Sequence, residues 1–296
     1  MTLHPTTLHP STLISAPELA AALAGPNPPL VVETSFDLGD PQAGERAFAQ
    51  SHLPGSIYLH LERDLSGAKT GPDGRFRGRH PLPERAAFAA TLARAGVAPG
   101  RSDVALDRQG GVYAARLWWM LRWIGHAEVA VLDGGVAAWT AAGGSTTTAT
   151  TPAPASAQAG DPWPAAESLQ SVIDADQVAA GLGRLRVVDA RAAERFRGDI
   201  EPLDPVAGHI PGALNRCFKD NVAAEGRFKP ASLLRAEFEA LLGGQPAAQV
   251  VHQCGSGVTA CHNLLAMEHA GWHGSLLYPG SWSEWSADPA RPIARG

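Results

Sequence analysis

The chain has 296 residues, 45% of them apolar and 18% charged, with a formal net charge of −5. That balance belongs to a globular protein of about two domains at roughly 100–200 residues each. It carries no basic footprint for nucleic acid and no run of the ~18 apolar residues that a membrane helix needs.

In chain order, Met1–Pro10 repeats Thr-Leu-His-Pro and has neither the basic nor the apolar region of a secretory signal. Residues 1–12 read as a disordered leader, and its two histidines lack further ligands for a metal. Ser15-Ala-Pro-Glu18 is a capped helix start before Leu19–Leu23. Leu30–Val32 and Val129–Leu132 are short, non-alternating β-branched runs of the kind found in buried parallel strands. Helices are predicted over Pro83–Ala95 and Ala114–Trp123. Residues 13–143 form a first domain, and the Thr/Ala/Pro/Gly-rich stretch within 144–168 is a linker.

From 169 to 296 the first half is echoed. Asp174-Ala-Asp-Gln177 caps a helix, Arg186–Val188 and Gln249–His252 are strands, and Leu233–Leu242 and Val258–Ala270 are helices. Asp189 stands 156 residues after Glu33, His209-Ile-Pro-Gly 157 after His52-Leu-Pro-Gly, and Trp285 146 after Trp139. Three matches in the same order establish an internal repeat. The falling offset implies an insertion in the first half, with Ser66–Gly78 as the candidate. Alternating strands and helices predict an α/β fold, a parallel sheet flanked by helices in each half. Ligands in such sheets gather at the carboxyl ends of the strands.

Cys254 lies at such an end, followed by Gly255-Ser-Gly-Val-Thr259 and a helix. The glycines allow successive N–H groups to face one point at a helix N-terminus, where peptide dipoles favour an anion and hence a thiolate. The alternative is a small buried residue packed between strand and helix. No arginine closes the loop as a phosphatase would require, and no Cys-x-x-Cys redox pair is present. His252, Cys254, Cys261 and His262 have the residue types of a zinc site without its usual spacing, and neither metal nor cofactor is expected. Cys261 reads as a packing residue of the helix, with a resolving thiol as the alternative. At the matching place in the first half stands Asp107, and no cysteine occurs in that half. The first half is therefore expected to shape the cleft and contribute side chains.

Cys254-Gly-Ser-Gly-Val-Thr-Ala260, Gly208-His-Ile-Pro-Gly-Ala213, Val188-Asp-Ala-Arg-Ala-Ala-Glu-Arg-Phe-Arg-Gly198 and Gly280-Ser-Trp-Ser-Glu-Trp285 together resemble two-domain rhodanese-type sulfurtransferases. The resemblance covers nearly the whole chain after about Leu13. It implies two tandem rhodanese-like domains, the second one catalytic. Family members that prefer thiosulfate tend to carry basic residues after the cysteine; the uncharged loop here is similar to that of members acting on 3-mercaptopyruvate. The resemblance then implies a persulfide on Cys254, with Gly255, Ser256, Gly257, Val258 and Thr259 lining the donor and Arg195 holding its carboxylate. It also implies a proton relay of Ser256, His80 and Glu62, with Asp64 as a rival acid. Some relatives carry a second arginine after a Glu-Pro segment. Glu201-Pro-Leu-Asp-Pro205 has none, and Arg197 is the stand-in that the sequence offers. Trp282 and Trp285 read as packing residues rather than cleft lining.

The expected partners are a small sulfur donor and a thiol, cyanide or thioredoxin-like acceptor, without nucleic acid or membrane. A thiosulfate:cyanide enzyme and a slow persulfide-relay module are the alternatives. A monomer is the working expectation. Three cysteines, Cys217, Cys254 and Cys261, are too few and odd in number for a disulfide framework, which points to a reducing, cytoplasmic setting.

Overall fold

A computed structural model describes residues 12–149, 163 and 166–296. Most of the leader and the centre of the expected linker lie outside the described residues. The chain divides into two compact units. One runs to His60 and from Ala86 to Leu169; the other comprises Leu61–Arg85 and Gln170–Gly296. The segment Leu61–Arg85 thus lies within the first half in sequence but belongs to the second unit in space.

The first unit contains β1 (Leu13–Ile14), α1 (Ala16–Leu23), β2 (Leu30–Glu33), α2 (Ala43–Gln50) and β3 (Ile57–Tyr58). The chain then contributes α3 (Leu61–Asp64) to the second unit. It resumes the first with α4 (Arg85–Ala95), β4 (Asp103–Leu106), α5 (Ala114–Trp123), β5 (Val129–Leu132) and α6 (Gly135–Ala141). The second unit continues with β6 (Ser171–Val172), α7 (Ala175–Ala180), β7 (Arg186–Asp189), α8 (Ala193–Arg197) and β8 (Leu214–Asn215). There follow α9 (Ala231–Leu242), β9 (Val250–Gln253), α10 (Thr259–His269), β10 (Leu276–Leu277) and α11 (Ser281–Trp285).

The strand orders are β1-β5-β4-β2-β3 and β6-β10-β9-β7-β8, parallel throughout and identical in topology. The predicted capping boxes form in both units, Ser15 with Glu18 and Asp174 with Gln177. The two-residue strands at the sheet edges escape sequence reading because they are too short to show a period. Leu214 stands 157 residues after Ile57, and Gln253 147 after Leu106. The expected insertion therefore falls between β3 and β4, the stretch that contains Leu61–Arg85.

In the second unit the core gathers Val178, Val187, Val251, Tyr278, Trp282 and Trp285 beneath one face of the sheet. Both tryptophans are fully buried, as packing residues should be. On β9, His252 is also fully buried, with Nε2 2.9 Å from Met267 Sδ. Burial, with the Arg216 charge adding to it, pushes its pKa down to about 3. The unfolded chain therefore takes up this proton as pH falls below ~6.5 while the folded chain does not. Its contribution to stability is complete above that pH and is lost as pH falls. Denaturant titrations between about pH 6.5 and 5 should show a loss approaching ~1.4 kcal/mol per pH unit from this group. His252→Leu should remove that component; an unchanged slope would contradict the assignment.

Candidate active site

Strand β9 ends at Gln253, and α10 starts at Thr259; Cys254–Val258 form the turn between them. Cys254 is 2% exposed. The N–H groups of Ser256 and Gly257 point at its Sγ, at 3.5 and 3.2 Å. Gly257 has φ +78°, and a Cβ there would lie 2.3 Å from the Pro279 carbonyl oxygen, so the turn admits only glycine. Val258 is buried against the same turn, and Cys261 Sγ–H donates to the Gly257 carbonyl at 3.3 Å.

The Gly280–Trp285 motif clamps this loop. Cys254 N–H donates to Ser281 Oγ at 3.1 Å, Trp282 N–H to the Cys254 carbonyl at 3.0 Å, and Ser283 N–H to the Gly255 carbonyl at 3.0 Å. Ser281 has φ +54°, a costly conformation for a non-glycine residue. Its hydroxyl, donating to the Tyr278 carbonyl at 2.9 Å, helps to hold it there.

Around this turn the second unit collects the other candidates. Ser256 Oγ and His80 Nδ1 are 2.9 Å apart, and both residues are buried. Glu62 Oε1 lies 3.7 Å from His80 Nε2 and is partly exposed. The rival acid, Asp64, lies 3.4 Å from Arg63. If His80 is neutral and accepts at Nδ1 from the Ser256 hydroxyl, its own proton sits on Nε2, toward Glu62.

Arg195 projects from α8 to the loop: Nη1 and Nη2 lie 3.6 and 3.7 Å from where a Cβ on Gly255 would stand. A second guanidinium is closer. Arg79 Nη2 would meet that Cβ at 2.8 Å, so the missing side chain at Gly255 leaves room for Arg79, while Arg195 would be in ordinary contact. Arg197, the stand-in that the sequence offers, is directed elsewhere. Arg197 is half-exposed and pairs with Asp199 at 2.7 Å, because α8 turns its side chain toward solvent. No motif in the sequence ties Arg79 to the loop. Its one signal is its place beside His80 in Arg77-Gly-Arg-His80.

Carboxylates balance these arginines. Glu201 Oε1 accepts from Arg195 Nη2 at 2.6 Å, and its other oxygen from Arg191 Nη1 at 3.2 Å. Arg191 also donates to Asp189 at 2.7 Å and lies over the Trp282 ring at 4.7 Å. Asp204 binds Arg79 through Oδ1 and faces Arg195 Nη2 with Oδ2 at 3.6 Å. The four residues of the zinc alternative do not converge, since His252 faces Met267 and His262 Nδ1 faces Asn221 at 3.1 Å. Among the described residues no group of His, Cys, Asp and Glu could hold a metal ion.

In the first unit, Asp107 follows β4 just as Cys254 follows β9, since Leu106 pairs with Glu33 and Gln253 with Asp189. Its carboxylate fills the turn, accepting N–H bonds from Gln109, Gly111, Tyr113 and Ala114 at 2.7 to 3.0 Å. The equivalent cradle in the second unit holds a sulfur instead.

Models of the rhodanese-like domain match residues 15–142 and 167–288. The chain belongs to the rhodanese family of sulfurtransferases, with two rhodanese-like domains in tandem. It is 46% identical to a Pseudomonas aeruginosa protein named "Probable 3-mercaptopyruvate sulfurtransferase", over 96% of this chain and 98% of that one. It is 32% identical to the thiosulfate sulfurtransferase of Gallus gallus, over 86% and 85% of the two chains. The structure of 3-mercaptopyruvate sulfurtransferase from Leishmania major aligns with a TM-score of 0.79 and 27% identity, covering 97% of this chain and 76% of that one. Among the described residues of this rhodanese-family chain, no helix is long and apolar enough to cross a membrane.

Proposed function

We propose that this sulfurtransferase takes its sulfur from 3-mercaptopyruvate and carries it as a persulfide on Cys254. The observation that supports this best is the pair of guanidinium groups, Arg79 and Arg195, over Gly255 beside the buried thiol. A donor with a carboxylate remote from its sulfur can reach both at once. In the first step the Cys254 thiolate attacks the donor sulfur, and the S–C bond breaks. Its electron pair passes to carbon as the enolate of pyruvate, which takes a proton. The relay for that proton is Ser256, His80 and Glu62, the first two already within hydrogen-bond distance. In the second step an acceptor thiolate, or cyanide, attacks the outer sulfur and the Cys254 thiolate leaves. The N–H groups of Ser256 and Gly257 stabilise the charge on sulfur in both steps.

We take 169–296 as the catalytic domain and 13–143 as its counterpart, joined by 144–168, with Leu61–Arg85 of the counterpart carrying Glu62, Arg79 and His80 to the second unit. The setting is taken to be the reducing cytoplasm, in keeping with three free cysteines, and the acceptor to be a small thiol or a thioredoxin-like protein.

Steady-state comparison of mercaptopyruvate and thiosulfate tests the donor. The wild-type chain should show the higher kcat/KM with mercaptopyruvate. Arg195→Ala should lower that value by about 10–100-fold, the worth of a charged hydrogen bond, and affect thiosulfate less. A preference for thiosulfate in the wild type would reverse the donor assignment.

A further inference from the structure

We propose that Asp204 is a specificity-determining residue, a resident counter-charge that cancels one guanidinium over the sulfur loop and thereby disfavours dianionic donors. The inference rests on the sulfur-transfer proposal above and adds a determinant that lies outside the loop.

Asp204 sits between Glu201 and the Gly208-His-Ile-Pro-Gly motif, and its side chain is 4% exposed. One oxygen binds Arg79 Nη1. The other is buried, makes no hydrogen bond and faces Arg195 Nη2 at 3.6 Å. Arg79 and Arg195 each also have a buried Nε without a hydrogen-bond partner. Neither guanidinium is therefore saturated, and both side chains, 22% and 17% exposed, remain open to an incoming anion. Their charge, however, is matched. Arg79, Arg191 and Arg195 stand against Asp189, Glu201 and Asp204, so these side chains sum to zero beside the thiol.

A site whose arginines are fully matched by carboxylates treats the two donor classes differently. Mercaptopyruvate brings one negative charge, with its carboxylate away from the sulfur, and needs directed hydrogen bonds, which the arginines supply. Thiosulfate brings two charges in a compact group next to the sulfur and needs net positive potential, which Asp204 withholds. The loop itself supplies none, since Gly255-Ser-Gly-Val-Thr259 is uncharged. A unit charge a few ångströms away, at an effective dielectric of about 20, changes a binding constant by about tenfold or more per unit of ligand charge. Removing the Asp204 charge should therefore favour a dianion over a monoanion by about that factor.

The test measures kcat/KM for both donors in wild type, Asp204→Asn, Asp204→Ser and Asp204→Glu. Asp204→Asn and Asp204→Ser should raise the thiosulfate-to-mercaptopyruvate ratio about tenfold, chiefly through an increase with thiosulfate. Asp204→Glu, which restores the charge, should return the ratio toward that of wild type. Loss of a merely structural contact would lower both donors together, and no such loss produces a gain with thiosulfate. A ratio within about twofold of wild type in both neutral variants overturns the inference and leaves the sulfur-transfer proposal standing. A rise in Asp204→Glu equal to that in Asp204→Asn also overturns it, since shape rather than charge would then be responsible. Turnover of neither donor by the wild-type chain would overturn both proposals.

Discussion

Cys254→Ser should abolish turnover with either donor, a loss on the order of 10⁴-fold or more, as for other covalent nucleophiles. The substitution changes the nucleophile while sparing its surroundings. A hydroxyl at this position stays protonated near neutral pH, is a poor nucleophile toward sulfur and cannot hold a sulfane sulfur. The turn should survive, because its clamps are bonds from the main chain: Cys254 N–H to Ser281 Oγ, and Trp282 N–H to the Cys254 carbonyl. The melting temperature should accordingly stay near that of wild type. Incubation with mercaptopyruvate should add the mass of one sulfur atom to the wild-type chain and none to the variant. Full turnover by Cys254→Ser would rule out the Cys254 persulfide.

Asp107→Ala should leave that chemistry in place and destabilise the first unit by about 4 kcal/mol. The carboxylate is fully buried and accepts four N–H bonds. Its removal leaves the donors of Gly111, Tyr113 and Ala114 buried without a partner, and each buried unsatisfied donor costs about 1–3 kcal/mol. The terms are not additive, since the turn can relax and admit water. Asp107→Asn keeps the shape but replaces one acceptor oxygen with a donor, facing N–H groups that already point inward; its loss should fall between wild type and alanine. Denaturant unfolding of the three proteins measures the order. A change below about 1 kcal/mol in Asp107→Ala would show that the cradle contributes little to stability.

Asp107 and Cys254 show how far one chain can be read. Two strand-to-helix turns at matching points of a repeat are visible in sequence, because strand, turn and helix are local patterns. So are the buried parallel strands, the capping boxes at Ser15 and Asp174, and the thiol at a glycine-rich corner. The family resemblance implies the Ser256–His80 pairing, and the structure brings the two side chains to 2.9 Å.

Other features depend on folding in three dimensions. The insertion between β3 and β4 is countable from offsets, yet nothing in its composition says that Leu61–Arg85 belongs to the second unit. That placement sets Arg79, rather than Arg197, beside Arg195 over Gly255. It also pairs Arg79 with Asp204 across 125 residues of chain. The repeat, the fold class and the position of the thiol are legible along the chain, because each shows in short local patterns. Which charges meet at that thiol is set by the fold in space, because ion pairing depends on distance through space, and the spacing of residues along the chain does not set that distance.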